Sequence, residues 1–244
     1  MNPPLSITKV GQTLLLYPER AIFWKETRTL LVSDLHLGKS HHFQKQGIPL
    51  PGGFQERTLD RLRRLIEKTE ATRLFFLGDL FHSKYNREWQ DFQVWLEELT
   101  FLSNLKLEEI RLIKGNHDIL PNEVYERAGL QLSESWSEGP FMFIHDKADK
   151  KIVSDQAESI CFSGHKHPGI RLKIGGRQSV TLPCFHLNRS DFILPAFGDL
   201  TGMHLITHQR EDEVFAIAEN EIIEIPHKSS SVITTQSLGI SENI

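Results

Sequence analysis

Five apolar runs in this chain each end on a side chain that can bind a metal ion. They are Leu30-Leu31-Val32-Ser33-Asp34-Leu35-His36, Leu74-Phe75-Phe76-Leu77-Gly78-Asp79, Leu112-Ile113-Lys114-Gly115-Asn116-His117-Asp118, Phe141-Met142-Phe143-Ile144-His145 and Ile160-Cys161-Phe162-Ser163-Gly164-His165-Lys166-His167. Short apolar runs closed by glycine or polar residues read as buried strands. One such ending is a turn residue by default. Five in succession bring several strand ends to one point, and in open α/β sheets ligands bind outside the carboxyl ends of the strands. In chain order the ligand set is Asp, His, Asp, Asn, His, His and His. That is too many for one tetrahedral zinc and suits two divalent ions sharing a carboxylate.

The pattern around these runs sets the architecture. Residues 5–33 read as strands, with Pro18-Glu19-Arg20 as a hairpin turn. Residues 40–53, holding Gly47, Pro49, Pro51, Gly52 and Gly53, read as a loop. Residues 54–69 predict an amphipathic helix: Leu59, Leu62, Leu65 and Ile66 share one face, and Arg57, Arg61, Arg64 and Lys68 a second, solvated one. A second helix is expected over 85–103, with Trp89, Phe92, Trp95, Leu96 and Leu99 as its apolar stripe. A third is expected over 121–129, proline first and glycine last. Strands alternating with helices up to residue 120 argue for βαβ units. Beyond residue 130 the pattern is mostly strand, with Gly175-Gly176 as a hairpin turn and further strands over 192–194, 214–217 and 221–225. The fold class expected is α/β, one domain over residues 1–227. Residues 228–244 are polar without a period and read as a mobile tail.

Composition excludes several function classes. No apolar run approaches the roughly 20 residues that span a bilayer. The N-terminus lacks a basic region followed by an apolar core, so a secretory leader is not expected. The two cysteines, Cys161 and Cys184, stand unpaired in apolar surroundings, as reduced thiols of a cytoplasmic protein would. A formal net charge of −4 argues against a broad polyanion-binding surface but leaves room for a local basic patch. Arg171 and Lys173 would share a face of an extended hairpin and are candidates for one.

Each donor has its own logic. Asp34 and His36 are two apart, so alternation on an extended segment sends both to the same side. Asp79 has two carboxylate oxygens and can bridge two cations. Asn116 offers a neutral oxygen, which leaves more positive charge for an anionic substrate than a third carboxylate would. His117 can be read as a ligand or as a proton donor, with Asp118 holding its imidazole in one tautomer. His145 supplies one nitrogen, and His165 and His167 can meet two adjacent ions. Lys39, His41, His42 and His82 are near enough in sequence to rim such a site, and surface or packing roles account for them equally well.

The series Asp-x-His, Gly-Asp, Gly-Asn-His-Asp, His, Gly-His-x-His resembles the calcineurin-like metallophosphoesterases. Further segments, among them Leu37-Gly38-Lys39, Gly47-Ile48-Pro49-Leu50-Pro51, Leu182-Pro183-Cys184-Phe185 and Leu194-Pro195-Ala196-Phe197-Gly198, resemble the ligase-associated DNA-damage-response endonuclease group. The resemblance implies a two-sheet mixed β-sandwich flanked by helices, with two metals at the strand ends. It implies Asp34, His36, Asp79 and His167 around one ion and Asp79, Asn116, His145 and His165 around the other. It further implies a metal-bridging hydroxide attacking phosphorus in a DNA phosphodiester, and a functional link to a DNA ligase and helicase in repair. His117 is then the candidate general acid and Asp118 its orienter. Two divalent ions, two aspartates and one hydroxide leave a residual charge of roughly +1, which suits a phosphodiester anion. The mixed N/O donors suit manganese first, with iron and zinc as alternatives. A small-substrate phosphoesterase, acting on a nucleotide or nucleotide-linked lipid, is the competing enzyme reading. A non-catalytic scaffold is disfavoured because no donor is missing.

Overall fold

Odd and even residues of the central strands are both apolar, which requires cover on both faces of the sheet. The computed structural model describes residues 3–40, 43, 47, 53–82, 88–99, 106–147, 159–175 and 178–227. Its first sheet contains β1 (Leu5–Lys9), β2 (Gln12–Tyr17), β3 (Ala21–Trp24), β4 (Thr29–Val32), β5 (Arg73–Leu77), β6 (Glu109–Ile113) and β7 (Gln131–Ser133), in that spatial order. Pairing is antiparallel from β1 to β4 and parallel from β4 to β7. The parallel crossovers carry α1 (Phe54–Thr69), α2 (Glu88–Glu97) and α3 (Asn122–Arg127).

The second sheet contains β8 (Trp136–Glu138), β9 (Phe141–Phe143), β10 (Ile160–Ser163), β11 (Pro168–Gly175), β12 (Gln178–Asn188), β13 (Asp191–Ile193), β14 (His204–Leu205), β15 (Asp212–Ala218) and β16 (Glu221–Ile225). Its order is β14-β11-β12-β13-β10-β9-β8, with β15 on β12 and β16 on β15. β12 is long enough to serve two neighbourhoods: its first half pairs with β11 and its second half with β13 and β15.

Alternation divides the core into two layers. Leu31, Phe75, Leu77 and Ile113 point toward the second sheet, where Phe143, Phe162, Phe185 and Phe192 meet them. Leu30, Val32, Leu74, Phe76 and Leu112 point the other way, onto Leu59, Leu62, Leu65, Ile66 and Phe92 of the helices. Full burial of side chains this size stabilises by about 1.5–3 kcal/mol each. The architecture is the mixed two-sheet sandwich flanked by helices.

α1 runs over the expected residues, and α3 lies between Pro121 and Gly129. The strands β7, β8 and β14 carry no sequence signal because two or three residues are too few to show alternation. Most of the expected 40–53 loop, both ends of the expected 85–103 helix, Gly176 of the hairpin turn and the expected 228–244 tail lie outside the described residues. Strands β4, β5 and β6 of one sheet and the parallel pair β9 and β10 of the other end just before the donor motifs. The two sheets thus present their carboxyl ends along a common edge.

Candidate metal centre

The donors stand on loops folded in an uncommon backbone state. β4 ends at Val32, and Asp34 (φ 53°) and His36 (φ 48°) are both left-handed. They converge, but not through the extended alternation expected from the sequence. Asp79 (φ 52°), His165 (φ 66°) and His167 (φ 46°) share this conformation. Non-glycine residues held there cost about 1–3 kcal/mol each and persist only where surroundings enforce them. Backbone bonds supply part of that enforcement: Asp34 N donates to Gly78 O (3.1 Å) and His36 N to Asp79 O (2.9 Å). The glycines beside the donors answer a steric demand. A Cβ on Gly78 would overlap the His145 ring, and one on Gly115 would overlap Asp79 Oδ1. Gly115 has no positive φ, so Gly115→Ala tests crowding alone. Metal content measured by elemental analysis should fall, and an unchanged content would show that the Asp79 loop yields freely.

Two groups of donors could each hold an ion. The ligand atoms of Asp34, His36 and His167 lie within 4.8 Å of one another, as do those of Asp79, His145 and His165. Asp79 stands between the groups. Its Oδ2 is 3.7 Å from His36 Nε2, and its Oδ1 is 3.4 Å from His145 Nε2. The Asn116 Oδ1 lies 3.1 Å from His145 Nε2, and His165 Nδ1 lies 3.1 Å from the same nitrogen.

Ring tautomers point the same way. His145 Nδ1 is 2.9 Å from the Leu77 carbonyl, which can only accept, so Nδ1 carries the proton. Its Nε2 lone pair then faces the Asp79 carboxylate. His167 Nδ1 is likewise 3.2 Å from Gly202 O, leaving Nε2 facing Asp34 Oδ1 at 3.2 Å. A ring nitrogen facing a carboxylate needs a proton or a metal ion between the two. His36 Nδ1 and His167 Nε2 are moreover buried without a hydrogen-bond partner. Burial pushes the His36 imidazolium down to about 3, so the ring is neutral and free to ligate at neutral pH. Burial pushes Asp34 upward, but positive charge on the rings facing it, His167 first and then His145 and His36, holds its carboxyl below the usual carboxylate range, and a metal ion in place of those protons acts in the same direction. The donor set fits divalent metal.

The His117–Asp118 pairing expected from the sequence does not form. Asp118 does not orient the His117 ring. Its Oδ2 accepts from Asp79 N (2.8 Å) and Gly115 N (2.9 Å), and its Oδ1 from Leu80 N (3.0 Å). Three backbone donors saturate this carboxylate, which braces the Asp79 loop against the Gly115 loop. Burial still pushes it up to about 6, opposed by those bonds. His117 instead places Nδ1 3.2 Å from the His82 carbonyl, which makes Nε2 its exchangeable end. The His82 ring stacks on it, with centroids 5.4 Å apart, and His36 lies 5.3 Å away edge-on. Lys39 sits beside the centre: burial lowers its pKa, and Asp34 and Asp79 oppose that. His186 pairs with Asp212 at 3.0 Å and, like His204, His208 and His227, belongs to neither donor group. The carbonyls of Leu77, Gly202 and His82, which set three imidazoles, have no signature in sequence.

Among the described residues, no helix is long and apolar enough to cross a membrane. No curated protein sequence matches the chain significantly. The solved nuclease MPE of Pseudomonas putida is similar, with a TM-score of 0.72 and 27% identity over 90% of this chain and 100% of that one. The E. coli phosphoesterase Yfce aligns with a TM-score of 0.41 and 13% identity, over 84% of this chain and 96% of its own. The sequence profile of the calcineurin-like phosphoesterases matches residues 27–172. That match spans more than half of the chain and every donor of both groups, so the chain belongs to the calcineurin-like phosphoesterase family and is a metal-dependent phosphoesterase.

Proposed function

We propose that this protein is a dinuclear-metal phosphodiesterase that cleaves DNA, with manganese as its ion pair. The observation that carries the reading is Asp79, whose two oxygens turn one to each donor group. Asp34, His36, Asp79 and His167 would hold one ion, and Asp79, Asn116, His145 and His165 the other. Bound there, the ions supply an activated water and neutralise charge on the phosphoryl oxygens. The chain's own groups do the rest. His117, held at Nδ1 by the His82 carbonyl, presents Nε2 to protonate the leaving oxygen. Asp118 keeps the Asp79 and Gly115 loops in register. Lys39 adds positive charge beside the phosphate. DNA as substrate is supported by the likeness to a nuclease over that enzyme's whole length. The motif resemblance supports a role in DNA repair linked to a ligase and a helicase, and the two unpaired cysteines support a cytoplasmic setting.

The test is cleavage of end-labelled single-stranded and gapped duplex DNA with added manganese. Cutting by the wild type, lost in His117→Ala, supports the reading. Hydrolysis of bis-nitrophenyl phosphate without any DNA cleavage would overturn the DNA assignment and favour a small phosphodiester.

A further inference from the structure

Two sequence features have no part in the chemistry above: the Arg57, Arg61, Arg64 and Lys68 row, and the segment Leu194-Pro195-Ala196-Phe197-Gly198. The structure joins them. The segment leaves β13 and crosses over the Asp34 loop. Leu194 N donates to Ser163 O (2.8 Å), Phe197 N to Ser33 O (2.8 Å) and Gly198 N to Asp34 O (3.1 Å). Ser33 Oγ donates back to Pro195 O at 3.3 Å. Gly198 packs so closely that a Cβ there would overlap the Leu35 carbonyl.

The carbonyls of Ala196, Phe197 and Gly198 are taken by two arginines from other elements. Arg20, in the turn between β2 and β3, donates through Nη1 to Ala196 O (3.3 Å) and Gly198 O (3.2 Å). Arg61 of α1 donates through Nη2 to Phe197 O and through Nη1 to Asp199 Oδ1 (2.8 Å). Its guanidinium also lies 4.5 Å over the Phe197 ring. Arg20 Nη1 is 3.7 Å from the same Asp199 oxygen. Arg61 therefore does not sit on a solvated face, as its helix position alone suggests.

The two donor groups lean on different supports. Asp34 and His36 stand on the loop that Phe197 and Gly198 clamp. His167 is held through Nδ1 by Gly202 O, three residues past Asp199, and Thr201 Oγ1 ties back to Gly198 O at 2.9 Å. His145, in contrast, is set by Leu77 O of β5. We propose that Arg61, with Arg20 and Asp199, is a positioning clamp that sets the ion affinity of the Asp34, His36 and His167 group. The Asp79, His145 and His165 group touches the clamped loop only at its edge, where His165 N donates to Asp34 Oδ2 (3.0 Å) and His36 N to Asp79 O (2.9 Å), and responds less. Asp34 and His36 are both held left-handed, so their loop needs a brace from outside itself. The inference rests on the two-ion reading.

The experiment is a manganese titration of the metal-free full-length protein, with free Mn(II) read by its EPR signal and melting temperature measured alongside. In Arg61→Ala one of the two dissociation constants should rise about 10–100-fold, the usual effect of losing a residue that orients a ligand. The other should rise by less. Asp199→Asn, which keeps side-chain shape, should weaken the same ion. In a His167→Ala background, Arg61→Ala should weaken the remaining ion by less than it weakens the clamped one. Arg63→Ala, which removes an exposed pair with Glu98 (3.1 Å) on the same helix, should alter neither. Unchanged constants in Arg61→Ala, or both rising by the same factor with a lowered melting temperature, would overturn the clamp. If the wild type itself took up a single ion, the two-ion reading would fail separately. The clamp would then stand only if Arg61→Ala weakened that ion at an unchanged melting temperature.

Discussion

Asp79→Asn is expected to lower occupancy of both ion positions and to cut turnover beyond the roughly 10²–10³-fold that loss of one stabilising donor costs. The substitution preserves size, so packing is not the cause. The carboxylate presents Oδ2 to His36 Nε2 and Oδ1 to His145 Nε2, and Oδ1 also accepts from His117 N (3.0 Å). An amide has only one oxygen. Keeping that oxygen at the His117 N–H turns the NH₂ group toward His36, and the reverse turns it toward His145. Either way one ion meets N–H in place of an oxygen donor, and the other loses half a negative charge. Elemental analysis beside steady-state kinetics checks this, and full metal content in the variant would rule out a bridging role.

His117→Ala should keep both ions and lose about 10²–10⁴-fold in turnover on alkyl phosphodiesters, the usual range for a general acid. The loss should be smaller on nitrophenyl esters, whose leaving group needs little protonation. The His117 ring belongs to neither donor group, and its backbone bond to Asp79 survives in alanine. A fall in metal content would make His117 a ligand instead. Asp118→Asn should behave differently. An amide NH₂ in place of Oδ2 faces Asp79 N and Gly115 N, and in place of Oδ1 it faces Leu80 N. Each buried donor left unpaired costs about 1–3 kcal/mol. Melting temperature and metal content should therefore drop together, whichever ester is used. An effect confined to alkyl esters would restore Asp118 as the residue that orients His117.

The contrast between these residues shows what a sequence can carry. Apolar runs ending on donors, with glycine beside them, were enough to bring Asp34, His36, Asp79, Asn116, His145, His165 and His167 to one edge of two sheets. Strand endings are written in hydrophobicity, and hydrophobicity is legible. The left-handed state of Asp34 and His36 was not legible, because no residue type announces it and it is imposed by contacts from Gly78 and Gly198. Asp118 was misread for a related reason: adjacency suggested the His117 ring, whereas three backbone N–H groups from two loops captured both oxygens. Arg61 was misread because helical periodicity reports which face a residue occupies and not how far a guanidinium reaches. The polar two-residue strand β14 exists only through its pairing with β11 and leaves no local trace.

The central claim is that two ions share Asp79. The measurement closest to it is EPR of the manganese-loaded protein together with the number of ions bound per chain. Two ions per chain with the exchange-coupled spectrum of a bridged pair is the predicted result. One ion per chain, or two giving independent six-line signals, would contradict it.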